Sequence, residues 1–253
     1  MLEYWSALFP SMTMLGVMLV ATVLGATMRA FSGFGSGLLL APVFSLYLSP
    51  QDMLAVVVLI NMIGTLQMLP GVWKEIDWPL IRRMVPAALL GVPLGWMVLT
   101  GLDPATVRRL VAGIVVVLSL VLLSGWVYAG ARGRLQDIIA GVSSGTLTGI
   151  AGIGGPPFIL YMMSAPGYSP SAFRTFFTVY FAFTQAMVLI VLLFTGGLGV
   201  RQVVYTGTLL PLYMLATALG TYLFTLALRH KAHVIKRVSL LLLLAVGVII
   251  LLL

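Results

Sequence analysis

Two stretches decide how this sequence is read: MRAFSGFGSGLLLAP at residues 28–42 and LTGIAGIGGPPFILY at residues 147–161. Each is an apolar stretch broken by Gly-x-Gly and followed by a second apolar stretch that carries proline. In hydrocarbon a broken helix leaves backbone N–H and C=O groups unpaired, at a cost of several kcal/mol each. Such breaks are tolerated where the freed backbone lines a cavity or a ligand. Breaks at matching places in two halves point to a transporter's substrate site.

The rest of the chain sets the solvent. Of 253 residues, 61% are hydrophobic and 8% charged, against roughly 25% charged in a soluble domain. The expected fold is an all-α polytopic membrane protein. The N-terminal MLEYWSALFPSM carries Glu3 and no basic residue, so it lacks the positive region of a cleavable signal, and the first apolar segment is expected to be a retained span. The absence of cysteine removes disulfides, thiolate metal sites and cysteine nucleophiles. His230 and His233 stand three apart in RHKAHVIKR with no acidic neighbour, which reads as a charged loop at the membrane surface rather than a metal site. No cofactor is expected. The net charge of +8 comes mainly from short connections between apolar segments. That is the positive-inside pattern and not a nucleic-acid groove.

Ten apolar segments are expected, at about 12–31, 36–48, 53–72, 80–100, 105–128, 136–151, 156–166, 173–196, 203–228 and 235–253. The second and seventh are short, as half-helices would be. If every segment crosses, one side holds Lys74, Arg82, Arg83, Arg132, Arg134, Arg174, Arg229, Lys231, Lys236 and Arg237, and the other Arg108, Arg109 and Arg201. The first side is expected to be cytoplasmic and both termini periplasmic. An eight-span arrangement, in which segments at the breaks do not cross fully, is the alternative.

The halves repeat. LSPQDMLAVVVLINMIGTLQ (48–67) lies over YSPSAFRTFFTVYFAFTQAM (168–187), Pro86 over Pro211, and Arg108–Arg109 over Lys236–Arg237. Five segments per unit is odd, so the second copy is expected to enter the membrane inverted, with the site near the shared axis at mid-membrane. The expected units are residues 1–128 and 136–253, joined by a cytoplasmic linker at 129–135. The competing explanation for the glycines is helix packing, since Gly33–Gly37 and Gly145–Gly149 both have small-xxx-small spacing.

A helix that starts at mid-membrane presents unpaired N–H groups and a positive dipole end, which suit an anion. Ser32, Gly33, Phe34, Gly35 and Ser36 are expected to form one cradle, and Ala151, Gly152, Ile153, Gly154 and Gly155 the other, with Pro156 and Pro157 in the first turn that follows. Pro42 lies deeper and is expected to kink its segment. Arg29 precedes the first break and Arg174 opens segment eight. A guanidinium in a span is a candidate oxyanion ligand, the alternative being snorkelling to the interface. Among the polar residues Asn61, Thr65, Gln67, Tyr180, Thr184 and Gln185, several share a helical face, and Asn61 and Gln185 are the preferred substrate contacts. The alternative for them is interhelical hydrogen bonding.

All six acidic residues, Glu3, Asp52, Glu75, Asp77, Asp103 and Asp137, fall in or beside connections. No span carries a central carboxylate, and the chain has no Gly-x-x-x-x-Gly-Lys-Ser/Thr loop. Electrogenic uniport of an anion is therefore expected, with proton or sodium coupling as the alternative. A membrane enzyme is disfavoured because no Cys, His or carboxylate is expected within a span, and a purely structural subunit because paired breaks cost stability without structural return. A passive anion channel and an importer of another organic anion remain as alternatives. The expected partners are a small anionic substrate and the bilayer, and a homodimer is left open.

RAFSGFGSGLLLAPVFSLYLSP, KEIDWPLIRRMVPAALLGVPLG and GVSSGTLTGIAGIGGPPFILYMMS, together with Phe173–Arg174, resemble the TauE/SafE sulfite exporter family, also called the toluene sulfonate uptake permease superfamily. The resemblance covers about residues 12–253. It implies export of sulfite, sulfoacetate or a related organosulfonate across the bacterial inner membrane, with Ser32–Gly37 and Ala151–Pro157 as the substrate region. The second half has Gly199–Val200–Arg201 where the first has Ile76–Asp77–Trp78, so the halves differ there.

Overall fold

The computed structural model describes residues 8–32, 34–126, 128, 130, 133–162, 170–227 and 232–252. Glu3, Gly33, Arg132, Arg229, His230 and Lys231 lie outside them, as do the side chains of Ser32, Phe173, His233, Lys236 and Arg237. The described residues form α1 (Met12–Ser32), α2 (Ser36–Phe44), α3 (Pro50–Val72), a 3₁₀ turn (Trp73–Glu75), α4 (Trp78–Gly101), α5 (Pro104–Ser124), α6 (Arg134–Ala151), α7 (Gly155–Met162), α8 (Pro170–Phe194), α9 (Val200–Ala227) and α10 (Ala232–Leu252). Each expected apolar segment is one of these helices.

Local chemistry sets several of the ends. Ser49 accepts the Asp52 N–H to cap α3, with Pro50 in the first turn. Asp103 accepts the Thr106 N–H to cap α5, with Pro104 in the first turn, and Gly125 ends α5 in the left-handed conformation at φ 73°. The Thr106 hydroxyl and backbone N–H hold the Asp103 carboxyl below its ordinary pKa.

Six helices, α1, α3, α4, α5, α8 and α9, are long and apolar enough to cross a membrane. Helices α6 and α10 have 18 and 21 residues, a length that also spans. Helices α2 and α7 have only 9 and 8, roughly 13 and 12 Å at 1.5 Å per residue, against about 30 Å of hydrocarbon. They therefore do not cross, which corrects the assumption that every segment does and favours the eight-span alternative.

The packing partners exchange when the halves are exchanged. α1 packs on α9 and α6 on α4; α4 packs on α8 and α9 on α3; α5 meets α10 and α3 meets α8. Helices α3 and α8 are the most buried of the six apolar spans. Glycine makes the closest seam possible: a Cβ on Gly145 would lie 2.0 Å from the Ala88 carbonyl oxygen, and one on Gly149 would lie 2.1 Å from that of Val92. Gly145–Gly149 thus serves helix packing, the competing explanation for that pair. The outer faces carry exposed Leu90, Phe194 and Leu215, as lipid contact requires. Trp73 and Trp78 pair edge to face at 6.0 Å beside Glu75, where an interfacial aromatic belt belongs.

Side-chain contacts group the helix ends. Asp52 pairs with Arg201 at 3.4 Å and accepts from Gln202 at 2.5 Å. At the other end of α3, Thr175 donates to Glu75 and Arg174 to Thr221, both at 3.2 Å.

Candidate anion site

The two breaks touch. Gly37, in the first turn of α2, lies against the break after α6, so that a Cβ there would stand 2.2 Å from the Gly152 carbonyl oxygen. Gly155 faces Phe34 in the same way, with Cβ positions 3.2 Å apart. At α2 the chain enters its helix through Gly35 at φ 103°; at the other break it leaves α6 through Gly152 at φ 71°. Both conformations suit glycine and strain other residues.

Between the breaks is a small pocket. Its walls are Arg29, Phe34, Gly35, Ser36, Gly37, Leu38, Asn61, Gly152, Ile153, Gly155, Pro156, Phe181 and Gln185. Ten of the fifteen residues expected at the site are in this set. Ala151 and Gly154 sit just behind it. Ser32 and Gly33 belong to the same break, Ser32 with its side chain, and Gly33 altogether, outside the described residues. Arg174 is not in the lining; it sits near the end of α3, between Thr221 and Glu75. Gln67 is exposed and reaches the Met214 carbonyl at 3.4 Å, so it belongs to a different face from Asn61 and Thr65.

Arg29 does not snorkel: it is 1% exposed. Its Nη2 donates to the Thr65 hydroxyl, and its plane lies 5.6 Å from the centre of the Phe181 ring, within cation–π range. Its Nε is buried with no hydrogen-bond partner among the described residues. No described carboxylate faces it: Asp52 pairs with Arg201, Glu75 accepts from Thr175, Asp103 caps α5, Asp137 accepts from Tyr161 at 2.5 Å, and Asp77 stands between the 3₁₀ turn and α4.

The surrounding polar groups consume acceptors and leave donors. Asn61 Oδ1 accepts from Ser36 at 2.6 Å and from Tyr213 at 2.8 Å. Gln185 Oε1 lies 3.0 Å from the Thr65 hydroxyl, whose single proton serves either that oxygen or the Asn61 carbonyl at 2.7 Å. With their oxygens so occupied, the amide nitrogens of Asn61 and Gln185 are the groups left to offer a ligand. At the second break, the C-terminal carbonyls of α6 are capped by Gly152 N–H on Thr148 at 2.8 Å and Ile153 N–H on Leu147 at 3.3 Å. Ser144 donates to the Gly154 carbonyl and accepts from Tyr180 at 2.7 Å. The N-terminus of α2 adds backbone N–H groups. Donors around one unpaired cation, with aromatic walls, are the chemistry of an oxyanion site.

Repeat-related positions meet at this place. Thr65 and Gln185, 120 residues apart, are hydrogen-bonded, and Asn61 and Phe181, also 120 apart, both line the pocket. Phe181, Leu38 and Tyr213 were not among the expected site residues. The 120-residue register of 48–67 over 168–187 pairs Phe181 with Asn61; nothing in the sequence singles out Tyr213 beyond its following Pro211.

A family model described as "Sulfite exporter TauE/SafE" matches residues 17–250. The chain belongs to the sulfite exporter TauE/SafE family. A curated relative, the "Probable sulfite/organosulfonate exporter TauE" of Cupriavidus necator (strain H16), is 28% identical over 212 residues, which is 78% of this chain and 78% of the relative. No solved structure gives a significant match. As a TauE/SafE member with six apolar spans among its described residues, the chain is a multi-pass protein of the bacterial inner membrane.

Proposed function

We propose that this TauE/SafE protein exports a small sulfur-containing oxyanion, such as sulfite or a related organosulfonate, by exposing the pocket between its breaks alternately to the two sides of the membrane. The observation that carries the reading is Arg29: a fully buried guanidinium, with no described carboxylate beside it, lining a pocket in which the side-chain oxygens of Asn61 and Gln185 are already engaged. A buried charge is kept only where it is compensated, and a transported anion supplies the compensation. The exchange of packing partners between halves supports two inverted repeats with the pocket on their axis. The end that holds Lys74, Arg82, Arg83 and Arg174 is cytoplasmic in this reading.

No ATP-binding loop is needed. With the interior negative, each negative charge moved outward releases about 2.3 kcal/mol per 100 mV. Arg174 serves the cytoplasmic mouth rather than the pocket. The test is flux in proteoliposomes across a panel of sulfite, sulfoacetate, taurine, sulfate and short carboxylates. The expected result is saturable transport of a sulfur oxyanion, with counterflow, faster at a potential that drives the anion through. Transport of a carboxylate or a cation in its place would overturn the substrate.

A further inference from the structure

We infer that the pocket selects singly charged oxyanions over doubly charged ones, and that Arg29 sets this valence; the inference rests on the anion-site reading above. Among the described residues, Arg29 is the only formally charged group in the lining. Behind the lining, Tyr213 is bonded to Asn61 and Tyr180 is packed against Phe181 at 5.6 Å. Each break joins the negative end of one helix to the positive end of the next, so the breaks add no formal charge. Pro156 and Pro157 remove two N–H groups from the start of α7 as well.

The pocket therefore offers one unit of positive charge and a few neutral donors. A monoanion beside Arg29 leaves the buried site neutral. A dianion leaves a net negative charge in a low-dielectric interior, and a buried charge without a partner is strongly disfavoured. Phe34 and Phe181 add apolar wall, which accepts the carbon substituent of a sulfonate but gives a second oxyanion charge nothing to bind. Sulfonates with no second acidic group, such as methanesulfonate, and hydrogensulfite fit; sulfate, fully ionised sulfite and the doubly charged sulfoacetate do not.

The test compares methanesulfonate with sulfate, which share a tetrahedral sulfur–oxygen head and differ by one charge, by equilibrium binding to the purified full-length protein. Sulfite is then titrated across its own second ionisation, with methanesulfonate as the pH-invariant control. Methanesulfonate is expected to bind about tenfold or more tightly than sulfate, and sulfite is expected to weaken as it loses its proton while methanesulfonate holds constant. In a second arm, Gln185→Lys adds a positive charge to the pocket and is expected to narrow or invert the ratio. Equal or tighter binding of the dianions by the wild-type protein would overturn the inference while leaving the anion site intact. Failure of any sulfur oxyanion to bind would overturn the anion site itself and the inference with it.

Discussion

Arg29 is costly to the fold, and in the proposed reading a bound anion offsets that cost. One of its nitrogens is bonded to Thr65, another is buried without a partner, and the residue is 1% exposed. Arg29→Met is therefore predicted to weaken anion binding by about 2 kcal/mol, roughly thirtyfold, while raising the thermal stability of the ligand-free protein, since an apolar replacement removes an uncompensated charge. Calorimetric binding and thermal unfolding on one preparation check both. Arg174→Ala is predicted to leave the affinity within about twofold and to slow flux, because Arg174 bonds Thr221 away from the pocket. The sequence treats these two arginines alike, since both stand near a break. What separates them is which way each side chain runs once α1 and α8 are packed, and that is a property of neighbours such as Thr65 and Thr221 rather than of local spacing.

At the scale of elements, the helices were legible because apolar runs of membrane length leave the backbone no alternative to helix, and Gly/Pro punctuation marked where α2 and α7 begin. Their failure to cross follows from length. Glycine roles were less legible, because a glycine that meets a neighbour and one that faces open space look the same in sequence. Gly37 stands against the Gly152 carbonyl, whereas Gly113 in α5 has nothing within 4 Å of its Cβ position. Gly37→Ala is predicted to destabilise the protein by about 1–3 kcal/mol and to displace the two breaks. Gly113→Ala is predicted to be neutral or to stabilise by up to about 1 kcal/mol. Unfolding midpoints in one detergent decide the pair.

For the molecule as a whole, helix partners exchange between the two halves and residues 120 apart in sequence meet, as two inverted repeats would require. The symmetry is incomplete where it matters: with the breaks aligned, Thr148 stands in the second half where Arg29 stands in the first, so one half supplies the charge. Contacts between halves also close both ends, Asp52 with Gln202 at one and Glu75 with Thr175 at the other. A carrier must open these alternately. Since the chain has no cysteine, Asp52→Cys with Gln202→Cys gives a clean cross-linking pair. Bridging it with a short bis-thiol reagent is predicted to arrest flux, and continued conduction through the bridged protein would favour a channel.

The central claim is that the two breaks meet around Arg29 to bind an anion. The most direct measurement is calorimetric titration of the panel anions into wild-type protein and folded Arg29→Ala protein. The account predicts saturable binding of at least one sulfur oxyanion to the wild type and its loss, by tenfold or more, in the variant. Undiminished binding to the variant would contradict it.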